Sequence, residues 1–306
     1  MKKDKLKSFC KSIGIDCVGI AGIGLYNDLE KTIKRRLLNG YVTGMEEPVI
    51  ENRVNPKETM DNVKSIIVCA FPYYIGEFKE SNISKYCYGE DYHIVVKEML
   101  QQICDYLSMN IENFEYKVFA DNGPLVDRYL AYISGIGYFG INNNIITDKY
   151  GSYVFIGYIM TNYEFTPDSP LDKTCIKCGK CVKYCPGNAL LGNYEMNPKR
   201  CLSYITQKKG ELEIEEEAIL KKHKKVFVCD ICQEVCPYTS HARARGTIFS
   251  PIPFFNQNTL ANLSVDTLNA MSDEQFERRA YAWRGRDTIR RNAELKESCR
   301  KENDHA

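Results

Sequence analysis

Hydrophobic and polar positions divide the chain into two unlike parts. Over roughly the first 165 residues, short apolar runs alternate with longer stretches at helical spacing, the signature of a mixed α/β layer. The runs DCVGIAGI (16–23) and SIIVCAFPYY (65–74) predict buried strands. DYHIVVKEMLQQICDYL (91–107) places its apolar residues for a helix, with Asp91 as N-cap and His93 in the first turn. YKVFAD (116–121) predicts a short strand ending at Asp121, and PLVDRYLAYISGIG (124–137) a helix closed by glycine. NNIITDKYGSYVFIGYIMT (143–161) predicts two strands joined around Tyr150-Gly151. A turn-rich linker, TPDSPLDKT (166–174), leads into a cysteine-rich region. Beyond it GTIFSPIPFFNQNTL (246–260) reads as loop, followed by helical patterns to the end. Neither an internal repeat nor a low-complexity tract interrupts this order.

Composition narrows the class. The 306 residues are 44% hydrophobic and 26% charged, enough for a sizeable core. A net charge of +1 points to neither a nucleic-acid partner nor a membrane surface in bulk. No apolar run approaches the ~18 residues of a membrane span. The start, MKKDKLKSFCKSIGIDCVGIAG, is basic, but its apolar stretch is broken by Asp16 and several glycines. An amphipathic helix followed by a strand is expected there rather than an export signal, and the chain reads as cytoplasmic.

Fourteen cysteines in such a chain argue for metal or redox chemistry rather than a disulfide framework. Six (Cys10, Cys17, Cys69, Cys87, Cys104, Cys299) are scattered, and eight crowd between residues 175 and 236. CIKCGKCVKYCPGNAL contains C-x2-C-x2-C-x3-C-P, the spacing by which bacterial ferredoxins wrap a [4Fe–4S] cluster. Three thiolates converge from a tight loop, and the fourth, before Pro186, points to a second cluster. CDICQEVCP (229–237) repeats the C-x3-C-P ending. Crossing the last cysteine of each motif assigns Cys175, Cys178, Cys181 and Cys236 to one cluster. The other takes Cys185, Cys229, Cys232 and, across a gap, Cys201. Two zinc knuckles are the competing reading, since C-x2-C also suits tetrahedral zinc. Paired clusters pass single electrons, so the chain either carries electrons or feeds a reactive centre of its own. A bare dicluster carrier needs far fewer residues than precede Cys175 here.

CIKCGKCVKYCPGNAL, RCLSYITQKKGELE, CDICQEVCPY, YGEDYH, ADNGPLVDRYLAYISGIGYFG and GSYVFIG together resemble the epoxyqueuosine reductase family, over nearly the whole chain. The resemblance implies a cobalamin-dependent oxidoreductase with two [4Fe–4S] clusters, removing the epoxide oxygen of epoxyqueuosine in a tRNA anticodon loop. It implies an α+β architecture. A nitroreductase-like α/β corrinoid-binding domain (1–166) would precede a ferredoxin-like double-cluster domain (167–245) and a helical C-terminal segment (246–306). Asp121 matches the family's catalytic acid, kept protonated by an apolar corrinoid wall. Arg53 and Arg128 match arginines near the corrinoid or substrate, and Cys87 would line the same pocket, a buried thiol being the competing reading. His93 sits in a sequence near D-x-H-x-x-G, but Val96 replaces the glycine, and the family's cobalt is expected to have no lower protein ligand.

Two positions depart from the family pattern. Ile141 stands where a lysine is usual in G-K-N, and Tyr158 where an acid follows glycine. Both are expected in the corrinoid pocket, implying an altered substrate or a looser site. Longer family members end in helical repeats that grip tRNA, absent from the 306 residues here. The arginine-rich FERRAYAWRGRDTIRRNAELK (276–296) with Trp283, KKHKK (221–225) and HARAR (241–245) offer phosphate contacts and a base-stacking surface instead. Electrons would come from an external low-potential donor, with no membrane involved. Two alternatives stay open: a dehalogenase-like corrinoid reductase for another substrate, and a dicluster electron carrier without a substrate.

Overall fold

The computed structural model describes the backbone of residues 1–304 and side chains through Cys299. Helix α1 (Lys3–Ser12) buries Leu6 and Cys10 and feeds strand β1 (Cys17–Ala21). Helices α2 (Asn27–Leu38), α3 (Ile50–Val54) and α4 (Pro56–Thr59) lead to β2 (Ser65–Pro72). Every residue of β2 is buried, as its unbroken apolar run predicts for a central strand. Helix α5 (Tyr92–Asn110) starts at Asp91, whose carboxylate accepts the His93 N–H. Strand β3 (Tyr116–Ala120) ends one residue before Asp121, and α6 (Asp127–Ile133) is closed by Gly135 at φ +72°.

The main sheet is antiparallel, in the order β1-β2-β6-β3, with β6 spanning Val154–Thr161. The expected pair of strands around Tyr150-Gly151 divides differently. Strand β5 (Ile145–Ile146) pairs with β4 (Tyr138–Phe139), not with β6. A single Thr147–Gly151 bridge turns the chain, because Thr147 satisfies the Tyr150 N–H and ends the ladder. Residues of the linker 166–174 form no helix or strand.

The main core packs one sheet face against α1 and α5 and continues into Ile248, Phe255, Leu268, Tyr281 and Ile289 of the C-terminal segment. That segment therefore closes over the N-terminal layer. A second core lies under α2 and α6. Among the described residues, no helix is long and apolar enough to cross a membrane.

Candidate active site and thiol quartets

Asp121 leaves β3 with φ +62°, a left-handed conformation that turns its carboxylate away from the sheet. The Tyr92 hydroxyl donates to that carboxylate at 2.5 Å. His93 Nε2 lies 3.9 Å from the same oxygen and 3.0 Å from Asn122 Nδ2, while its Nδ1 meets Asp91 at 2.7 Å. Tyr92 is fixed by stacking on Phe155, with centroids 3.8 Å apart. Burial, reinforced by the Asp121 charge, drives the Tyr92 phenol far above its ordinary range, so it remains a donor. The sequence marked Asp121 and the Asp91 cap but gave no sign of Tyr92, whose partner is 29 residues away.

Tyr158 supports this loop from beneath. It is fully buried, faces Phe119 across the β3–β6 pair, and its oxygen accepts the Leu125 N–H at 3.3 Å. A Cβ at Gly123 would lie 2.0 Å from that oxygen, so the loop closes over the phenol only with glycine there. Next to it, burial and then the Asp121 charge hold the Asp127 carboxyl well above the usual carboxylate range. Arg128 extends the site on the solvent side, donating to the Asn143 carbonyl at 2.9 Å. Arg53 is half-buried, and burial lowers its pKa together with the charge of Arg36. Cys87 corrects the expectation: it is fully buried in the main core and presents no surface to a ligand.

The eight crowded cysteines fall into two quartets. Cys175, Cys178, Cys181 and Cys236 line one surface pocket whose wall includes Ile141. Ile141 thus lies beside this outer quartet, packed with Cys181 and Cys185. Among the described residues, no three Cys, His, Asp or Glu side chains converge tightly enough for a single ion. Three thiols in C-x2-C-x2-C order, joined by a fourth from a second C-x3-C-P motif, suit a polynuclear cluster better than zinc. In the inner quartet, burial and then the charges of Cys229, Cys201 and Cys185 push the Cys232 thiol well above its ordinary value. A cationic metal centre removes that penalty. N–H donors already face the sulfurs, from Ala189 to Cys185 at 3.2 Å and from Asn144 to Cys232 at 3.8 Å.

A buried ionic network docks the inner quartet onto the N-terminal layer. Asp230, inside the C-D-I-C loop, accepts from the Ser84 hydroxyl and from the Lys85 N–H at 2.7 Å. Lys85 is 3% exposed and donates to Glu234 at 2.6 Å, while Lys225 stands 3.9 Å from Asp230. Burial raises the Asp230 pKa, and the two lysines oppose that rise.

The arginine-rich tail segment is largely occupied. Arg279 holds carbonyls of Gly89 and Asn258, Arg284 that of Gln207, and Arg291 those of Lys208 and Gly210. These guanidiniums fasten the segment to the core, so Arg291 is not free for phosphate. Trp283 is 57% exposed, with the Arg284 guanidinium 4.5 Å from its ring centre.

Comparison with known proteins agrees with this layout. Residues 174–239 match a 4Fe-4S double cluster binding domain, and residues 53–122 match the model described as Epoxyqueuosine reductase QueG, DUF1730. An epoxyqueuosine reductase of Bacillus anthracis is 34% identical, covering 96% of this chain and 79% of that protein. One of Listeria monocytogenes is 35% identical, over 95% and 79%. A crystal structure of an epoxyqueuosine reductase superposes with a TM-score of 0.87 at 33% identity, covering 96% and 80%. One of an epoxyqueuosine reductase with an epoxyqueuosine-modified tRNA stem loop gives 0.86 at 33%, over the same shares. Mixed helix and sheet with a double-cluster domain define an iron–sulfur oxidoreductase. More particularly, the chain belongs to the epoxyqueuosine reductase family.

Proposed function

We propose that this chain reduces epoxyqueuosine in tRNA to queuosine, using cobalamin and two [4Fe–4S] clusters. The observation that carries the reading is the Asp121 loop, where the Tyr92 hydroxyl donates to the carboxylate at 2.5 Å. Arg128, seven residues on, donates to the Asn143 carbonyl, and the next residue, Asn144, donates to Cys232 of the inner quartet, which joins the loop region to the thiols. Family membership supplies the substrate class. The finer architecture we adopt is a nitroreductase-like layer at 1–166, a ferredoxin-like unit at 167–245 and a helical cover at 246–306.

Removing the epoxide oxygen as water consumes two electrons and two protons. Cys175, Cys178, Cys181 and Cys236 would hold the outer cluster, and Cys185, Cys201, Cys229 and Cys232 the inner one. The bound cofactors supply low-potential electrons at the cleft. The chain's own residues position and protonate. Asp121 delivers a proton to the departing oxygen from its carboxyl, and Tyr92 fixes the carboxyl's direction through their hydrogen bond. Arg128 and Arg53 provide positive charge for anionic groups of cofactor or tRNA.

The test is anaerobic product analysis. Reconstituted protein with cobalamin, a chemical reductant and epoxyqueuosine-containing tRNA should yield queuosine on nucleoside mass spectrometry. Unchanged epoxyqueuosine, with both clusters and cobalamin bound, would overturn the reading.

A further inference from the structure

The outer quartet has a surface that the reaction at Asp121 leaves unexplained. Cys178 is exposed to solvent, whereas Cys181 beside it and Cys185 of the inner quartet are buried. From Lys173 to Tyr194 the sequence holds four lysines and no carboxylate. Lys173 is paired with Asp148 at 2.5 Å, and Glu195, next along, is held by Arg35 at 2.5 Å. Lys177, Lys180 and Lys183 are exposed around the cysteine loop. Lys177 and Lys183 rest over tyrosine rings, 5.6 and 5.7 Å from the centroids of Tyr194 and Tyr184. Ile176 and Tyr184, 62% and 52% exposed, add apolar surface among them. A cluster edge open to solvent, an apolar centre and a one-signed rim are the parts of a transient docking site. Solvation alone does not call for large apolar side chains between three cations.

We infer that the face formed by Ile176, Lys177, Cys178, Lys180, Lys183 and Tyr184 docks an acidic low-potential one-electron carrier protein, which reduces the outer cluster. The inference rests on the proposed assignment of a [4Fe–4S] cluster to the outer quartet, and not on the identity of the final substrate. Each encounter moves one electron from the reduced carrier to the oxidised cluster. The carrier is oxidised by one electron, no covalent bond changes, and two encounters supply one epoxide reduction. Opposite charges steer such encounters and raise their rate at low salt, and the gain vanishes as screening shortens the reach of the field.

The experiment uses the full chain with reconstituted clusters, without cobalamin or tRNA, so failure of the epoxide reading leaves it unaffected. Stopped-flow absorbance follows cluster reduction by flavodoxin hydroquinone, an acidic carrier. It also follows oxidation of the reduced clusters by a basic c-type cytochrome. The expected result is a crossover. K177E/K180E/K183E slows the flavodoxin reaction at least 10-fold at low salt and accelerates the cytochrome reaction, while reduction by dithionite keeps its rate. The parent's flavodoxin rate should also fall steeply between 20 and 500 mM salt, a measurement that stands if the triple variant fails to hold iron. Equal flavodoxin rates in parent and triple variant, or a parent rate indifferent to salt, would overturn the inference.

Discussion

The two thiol quartets are built from repeated sequence but placed in opposite surroundings. The outer one opens to solvent at Cys178 amid exposed lysines. The inner one is faced by Asn142 and Asn144 and tied to the Ser84–Lys85–Asp230 network. On the proposed cluster assignment, the contrast gives the pair a direction: electrons would enter where a protein can touch the loop and leave toward the Asp121 loop. It also explains why one end of the domain is tethered by buried ion pairs while the other is left accessible. Precise placement matters at the inner end, where the chemistry lies, and accessibility at the outer.

The largest effect that would sharpen this contrast comes from removing a thiol at each end. Cys232→Ser should abolish queuosine formation with any reductant, because the inner relay is lost. Cys178→Ser should abolish it with a protein carrier yet leave activity with dithionite, as measured by product mass spectrometry and iron content. Equal loss under both reductants would erase the distinction between outer and inner.

Next come the residues on the cleft side. Asp121→Asn should lower kcat by about 10²–10⁴-fold, the range for losing a general acid, with cluster spectra unchanged. Tyr92→Phe removes the hydrogen bond that directs the Asp121 carboxyl, worth about 0.5–1.5 kcal/mol, and should cost about 2- to 10-fold in kcat. A smaller loss for Asp121→Asn than for Tyr92→Phe would contradict the assigned roles.

The docking network should show itself in stability. Asp230→Ala leaves Lys85 and Lys225 buried without their full complement, which should destabilise the fold by about 3–5 kcal/mol. Urea unfolding followed by circular dichroism measures it. A neutral result would mean that the two layers are held by apolar packing alone.

The smallest effect concerns Asp168, which accepts from Lys3 at 2.7 Å, Lys7 at 2.9 Å and the Ile20 N–H at 2.9 Å. Burial alone would raise its pKa, but the hydrogen bonds outweigh it and hold the carboxyl below its usual range. A depressed folded-state pKa stabilises above the unfolded value, and the contribution is lost as pH falls through the folded one. Asp168→Asn should therefore cost about 1 kcal/mol at pH 7, and the gap to the parent should close below about pH 4.

Much of this was readable from local pattern. The apolar run of β2, the Asp91 cap, the glycine after α6 and the crossed cysteine motifs each express a short-range rule. The contacts that define the cleft do not. Lys85 reaches Glu234 across 149 positions, and Tyr92 finds Asp121 only because α5 packs on β3. The contact of Ile141 with Cys181 and Cys185 is of the same kind: G-I-N carries no mark of which side of its turn meets the cysteine loop. The tail arginines look like a phosphate patch in sequence, and only the fold shows Arg279, Arg284, Arg286 and Arg291 bound to carbonyls. Sulfur spacing is legible because ligands of one cluster must be close, whereas an acid and its positioning phenol can come from anywhere.

The central claim is that the inner quartet and Asp121 flank a corrinoid. The most direct test is the anaerobic EPR spectrum of cob(II)alamin with and without the cluster-loaded protein. The account predicts conversion to a base-off signal at about one cobalt per chain, as expected if no histidine, His93 included, ligates the lower face. A free-cobalamin spectrum unchanged beside intact clusters would contradict it.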